Sequence, residues 1–250
     1  MKSLELLHVD KIYKNKVKAL DQLSFHVNKG EIYGMIGPNG SGKTTTISII
    51  TSLLKPTQGE ASINGYPSHS LKARQYFGYV PDELLLPETL TGREHLEFVS
   101  KMYDSTQPAL IEKLVDLMQL TPAMNLLISE YSHGMKKKLQ LISALIHDPQ
   151  LLILDEPFRG LDPEGVILFK RIIQKRKDQK KSIFIATHDL LSAQVLCDRV
   201  GILSKGSMVA EGYVADLLQQ YQVNSLEDCF MVASGLIERG IEVEKIIHDL

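Results

Sequence analysis

The run EIYGMIG, Glu31 to Gly37, is apolar and leads straight into GPNGSGKT, Gly37 to Thr44, after which a helix is expected as far as Leu54. This is the pattern G-x-x-x-x-G-K-[ST] set between a strand and a helix, and it commits the chain to an α/β fold with a phosphate-binding loop. Glycines 37, 40 and 42 let the backbone turn back and aim successive N–H groups inward, where with the helix N-terminus they form an anion nest. Lys43 then reaches β- and γ-phosphates, and Thr44 offers its hydroxyl to Mg²⁺.

A loop of this kind needs acids opposite it. LLILDEP, Leu151 to Pro157, is a continuous apolar run ending in two carboxylates, as expected of a buried parallel strand with its functional end at the carboxyl side. Asp155 would hold Mg²⁺ through its water shell, and Glu156 would orient or deprotonate an attacking water. SIFIAT, a helix over 189–197 and the hairpin-like VGILSKGSMVAEG extend the alternating α/β pattern. Ahead of the loop, alternating β-branched segments from Leu4 to Val27 predict a sheet. Between the loop and LLILDEP, residues 91–147 read as mostly helical with breaks at Pro108, Pro122 and Ser129, a candidate inserted arm.

With 250 residues and 44% hydrophobic content, the chain can bury one large core or a core plus an inserted subdomain. A net charge of −2 gives no basic field, so no nucleic-acid partner is expected. The lysines at 136–138 and the basic stretch 175–181 read as solvated helix faces or turns. Cys197 and Cys229 lack metal spacing and suit a reduced compartment as inert, buried thiols. No run approaches 18 apolar residues and no long apolar leader opens the sequence, so neither a membrane crossing nor secretion is expected.

In EYSHGMKKKLQLI, Ser132 is a good N-cap for an amphipathic helix beginning near Gly134. Free N–H groups, the positive end of the helix dipole, a serine hydroxyl and a glycine would also make that cap an anion site.

Taken in order, GPNGSGKTT, YSHGM, LLILDEP, GLDP and ATHD resemble the ATP-binding subunits of ABC transporters, over a span from about Tyr13 to Gly212. The resemblance implies an α/β P-loop NTPase core with an N-terminal antiparallel β-subdomain and an inserted α-helical subdomain. It would occupy residues 1–225, with the helical insertion at about 88–148 and a short helical tail at 226–250. It implies ATP and Mg²⁺ as cofactors. ATP would contact Gly37, Pro38, Asn39, Gly40, Ser41, Gly42, Lys43, Thr44 and Thr45, with Tyr13 stacked on adenine unless it is a strand tyrosine on a core face.

Ser132 and Gly134 would take the γ-phosphate held by a second subunit, and Asp162 would lie along the dimer interface, start a helix with Pro163, or do both. His188 would be the switch histidine, so that Glu156, His188 and Lys43 form the catalytic set. Thr44, Asp82 and Asp155 would serve the metal. The family pattern is broken where His133 and Met135 replace glycine and glutamine, and where Asp82 follows the proline of FGYVPDE in place of glutamine. His133 is expected to face solvent, with tuning or narrowing of the site as the alternative. The implied partners are a second copy of the chain or a related ATPase, and a separate membrane permease docked near 82–93 at the cytoplasmic face. Leu84 to Pro87 reads as buried core, with permease contact as the alternative. An exporter is the favoured reading, and a soluble ABC-type ATPase without a membrane partner is the alternative.

Overall fold

The computed structural model describes residues 1–14, 16–104 and 108–236. The anticipated tail therefore lies partly outside the described residues. Strands β1 (Lys2–Ile12), β2 (Lys18–Asn28) and β3 (Ile32–Ile36) open the chain, followed by α1 (Lys43–Ile50), β4 (Gln58–Ile63), β5 (Tyr66–Pro67), α2 (Leu71–Arg74) and β6 (Phe77–Val80). Helices α3 (Gly92–Met102), α4 (Pro108–Leu117) and α5 (His133–Leu145) come next, then β7 (Leu151–Asp155), α6 (Pro163–Asp178) and β8 (Ser182–Thr187). Helix α7 (Leu190–Leu196), strands β9 (Arg199–Ser204) and β10 (Ser207–Tyr213), and helices α8 (Val214–Gln220) and α9 (Leu226–Ala233) complete the order.

These strands form two sheets. A four-stranded antiparallel sheet runs β2-β1-β4-β5, and a six-stranded sheet runs β10-β9-β3-β8-β7-β6, parallel throughout except for β10. Every residue of β3, β7 and β8 is buried, the condition of parallel strands covered on both faces. Between the sheets, Phe25, Tyr33 and Phe184 stack at centroid spacings of 5.3 to 6.1 Å, and Ile47 and Ile50 of α1 join the same core. The second core lies on the other face of the large sheet and extends through Leu96, Val115, Met118, Leu139 and Ile142 into the helical arm.

Register brings the site together. Ile36, the last residue of β3, pairs with Thr187, and Asp155 at the end of β7 pairs with Ala186, so three loops leave the sheet along one edge. β6 pairs with β7 and delivers Pro81 and Asp82 to that same edge.

Several expectations need correction. Helix α1 stops at Ile50, where Thr51 closes it, and not at Leu54. Lys137 is 1% exposed, so the lysine run 136–138 is not a solvated face. In 175–181, Arg176 and Lys181 are buried and both pair with Asp148, with Arg176 Nη1 donating to it at 2.7 Å. Leu84 to Pro87 is not core as a block, because Leu85 is exposed while Leu86 packs against the arm. Both cysteines are free and buried, and burial pushes the Cys197 thiol up to about 12. Among the described residues no helix is long and apolar enough to cross a membrane.

Candidate active site

At the end of β3 the chain turns over Gly37, where an added Cβ would sit 2.4 Å from the Leu203 carbonyl oxygen. Gly42 then takes φ 113° as N-cap of α1 and supplies no side-chain cap, so the first N–H groups of that helix remain free to meet an anion. The Lys43 ammonium donates to the carbonyl oxygens of Gly37 (2.7 Å) and Pro38 (3.2 Å), folding back across the loop. Burial holds its pKa below the ordinary lysine range, opposed by the nearby Glu156 and Asp155.

A cleft of about 600 Å³ opens over this loop. Asn39, Gly40, Gly42, Lys43, Thr44 and Thr45 form one wall, and Tyr79, Asp82, Asp155, Glu156, Arg159 and His188 form the other. Gly37, Pro38 and Ser41 do not line the cleft, and the Ser41 hydroxyl is buried without a hydrogen-bond partner. Tyr13 is 40% exposed and its hydroxyl lies 3.3 Å from Thr45 Oγ1, which excludes the core-face alternative.

The acids differ in their surroundings. The Asp155 carboxyl is pushed up to about 6, chiefly by burial and then by the charges of Glu156 and Asp82, against the lowering effect of Lys137 and Lys43. Glu156 sits at φ 43°, an unfavourable conformation for a side chain of this size, and its carboxylate is held by three donors. Thr187 Oγ1 donates to Oε2 at 2.8 Å, the His188 N–H donates to Oε1 at 3.0 Å, and His188 Nδ1 lies 2.8 Å from the same oxygen. Asp82 reaches into the cleft and accepts from Arg159 Nη1 at 2.8 Å.

The donors fit a hard divalent cation. Desolvated Asp155 carries an incompletely compensated charge beside Thr44 and Asp82, and all their donor atoms are oxygens. Among the described residues no cluster of three or more His, Cys, Asp or Glu could cage a metal, so phosphate oxygens and waters would have to complete the shell of a Mg²⁺ ion.

Ser132, Gly134 and Asp162 do not line this cleft. Ser132 is exposed and caps α5, its hydroxyl accepting from the Met135 N–H at 3.3 Å. Asp162 caps α6, accepting from the Gly165 N–H at 2.8 Å. His133 is exposed as expected, yet its ring lies on Gly160, whose added Cβ would meet His133 Cδ2 at 2.1 Å. The YSHGM turn and the loop before α6 are thus in direct contact.

Four contributors escaped the sequence reading. Thr187 lies within ATHD and Arg159 directly precedes GLDP, both without any assigned role, and Tyr79 lies on the strand leading to Asp82. Lys137 had one signal: it precedes Gln140, Leu141 and Ala144 by three, four and seven positions, the spacing of the buried face of α5.

The ABC transporter family profile matches residues 20–159 of this chain. The linearmycin resistance ATP-binding protein LnrL of Bacillus subtilis is 33% identical over 99% of the chain and 83% of its own length. Nod factor export ATP-binding protein I of Burkholderia pseudomallei is 36% identical over 84% of the chain and 70% of its length. Among solved structures, an ATP-binding subunit of an ABC transporter superposes with a TM-score of 0.86 at 32% identity, covering 92% of this chain and 98% of that one. With its phosphate loop, its paired acids and these relatives, the chain belongs to the ABC transporter family as an ATP-binding, ATP-hydrolysing subunit.

Proposed function

We propose that the protein drives export through a separate membrane permease by closing and reopening a head-to-tail dimer around ATP. One observation carries this reading: the cleft holds the phosphate loop and the acids, whereas the Ser132–Gly134 helix start points elsewhere on the chain. A site needing both sets of groups is completed only by a second subunit. The γ-phosphate would then bridge Lys43 and the α1 N-terminus of one chain to Ser132 and Gly134 of its partner. Tyr13 supports the adenine and Asp162 lies along the interface.

Within the closed site, Glu156 accepts a proton from water as the water oxygen attacks the γ-phosphorus and the bond to the ADP oxygen breaks. Thr187 and the His188 N–H fix the carboxylate that does this, and His188 stands beside it at the γ-phosphate. Thr44 and Asp155, with Asp82 nearby, would hold Mg²⁺, which would supply charge neutralisation at the phosphates. Loss of the γ-phosphate removes the bridge and lets the dimer open. Exposed Leu85, close in sequence to Asp82, would suit a permease contact, and with such a contact the protein would lie peripherally at the cytoplasmic face of a membrane. Export is favoured by what the names of two relatives describe, Nod factor export and resistance to linearmycin.

Light scattering of Glu156→Gln tests the dimer. Mg-ATP should convert monomer to dimer, and Ser132→Arg in the same background should abolish that shift. A monomer that binds ATP and never associates would refute the intermolecular site.

A further inference from the structure

Lys137 is among the largest fully buried side chains of the protein, at 1% exposure, and it does not line the nucleotide cleft. A buried ammonium carries a desolvation penalty of several kcal/mol unless something offsets it. The helix dipole does not offset it, because Lys137 lies in the second turn of α5, far from the C-terminal end that favours cations. Its hydrogen bond goes to the Pro81 carbonyl oxygen at 2.6 Å, and the carboxylates acting on it are Asp82, Asp155 and Glu156, with Arg159 the opposing cation. One turn along the same face, Gln140 Nε2 donates to the Glu83 carbonyl oxygen at 2.9 Å. Lys136 adds an ion pair to Glu88 at 2.6 Å. Helix α5 therefore grips the backbone on both sides of Asp82 and places an amino group behind the acid cluster, its pKa lowered by burial against the opposing pull of the three acids.

We infer that Lys137 is a positioning residue for ATP hydrolysis: a buried counter-ion that, together with Gln140, fixes the Asp82 segment and lets Asp82, Asp155 and Glu156 share one edge of the sheet. The inference rests on the nucleotide site proposed above. It also gives α5 a second task. The helix whose start faces the partner's γ-phosphate holds, from its second turn, the segment bearing Asp82 and Leu85, so displacement at one is transmitted through side-chain bonds to the other.

Lys137→Met removes charge and donor, and Lys137→Gln removes charge while keeping a donor. Both are to be compared with wild type in steady-state ATP hydrolysis and in Mn²⁺ binding, followed by electron paramagnetic resonance with a non-hydrolysable ATP analogue. The KM for ATP should stay within about twofold, since Lys43 and the loop are untouched, while kcat falls about three- to tenfold, as expected for losing a charge that acts on the three acids. Mn²⁺ should bind about three- to tenfold tighter, because the acids lose an internal competitor. If Lys137→Met fails to fold, Lys137→Gln carries the same readouts. Lower kcat with unchanged Mn²⁺ affinity would reduce Lys137 to a structural prop and overturn the inference. So would unchanged values for both in an active wild-type background. A wild-type protein that binds no ATP would instead overturn the nucleotide site itself, and the inference with it.

Discussion

At the scale of single residues, the contact of His133 with Gly160 defines the departure from the family pattern in YSHGM. Gly160 has φ 77°, where a side chain is strained, and the ring occupies the space a Cβ would need. Gly160→Ala should cost about 1–3 kcal/mol from backbone strain, plus the displacement of the ring. His133→Ala in the same protein should recover the ring-dependent part, giving a coupling of at least about 0.5 kcal/mol in a double-mutant cycle read by urea unfolding. Strict additivity would show that the ring moves aside freely. Solvent exposure of His133 could be read from the sequence, but its seat on Gly160 could not. That seat depends on where the loop before α6 passes the start of α5, which is set by tertiary packing.

At the scale of elements, the helical arm holds the start of α5, and its first helix is locked by a capping box. Thr91 Oγ1 accepts from the Glu94 N–H at 3.2 Å while the Glu94 carboxylate accepts from the Thr91 N–H at 2.8 Å. Thr91→Ala should destabilise the protein by about 1 kcal/mol, and Thr91→Ser should restore most of it. Equal urea midpoints for all three proteins would remove the box from the account of the arm. The elements were legible where one force set them: continuous apolar runs gave β3, β7 and β8, and the glycine-rich loop placed the start of α1. In the arm the break at Pro108 was legible too, since α3 ends at Met102 and Pro108 is the first residue of α4. The lysine run was not. Local polarity favours a solvated face, and only the carbonyl of Pro81 and three carboxylates brought in by other elements make burial of Lys137 tolerable.

At the scale of the whole molecule, the acids that the sequence displayed so plainly work against the fold that carries them. The Asp155 carboxyl is raised to about 6 against an ordinary value of 3.8, so between those values the native state binds the extra proton. The stability linked to that proton is fully present below the unfolded pKa and is lost as pH rises through about 6. His95 and His147 act in the opposite sense. Burial lowers both below the usual 6.5, so their contribution is lost as pH falls below that value. Wild-type stability against pH therefore mixes two slopes of opposite sign, and substituting Asp155 separates them. Without nucleotide or divalent cation, Asp155→Asn should be more stable than wild type at pH 7.5 by about 3 kcal/mol, an advantage that shrinks by about 1–1.5 kcal/mol at pH 5. Chemical denaturation at the two pH values measures it. An advantage independent of pH would mean that the gain comes from packing and not from the carboxylate's charge. The same variant should lose ATP hydrolysis, since the strain of keeping Asp155, Glu156 and Asp82 together is what a divalent cation between Asp155 and the phosphates would relieve. Stability at neutral pH and a sheet edge whose acids would suit a cation are thus alternatives within one sequence, and this chain retains the acids.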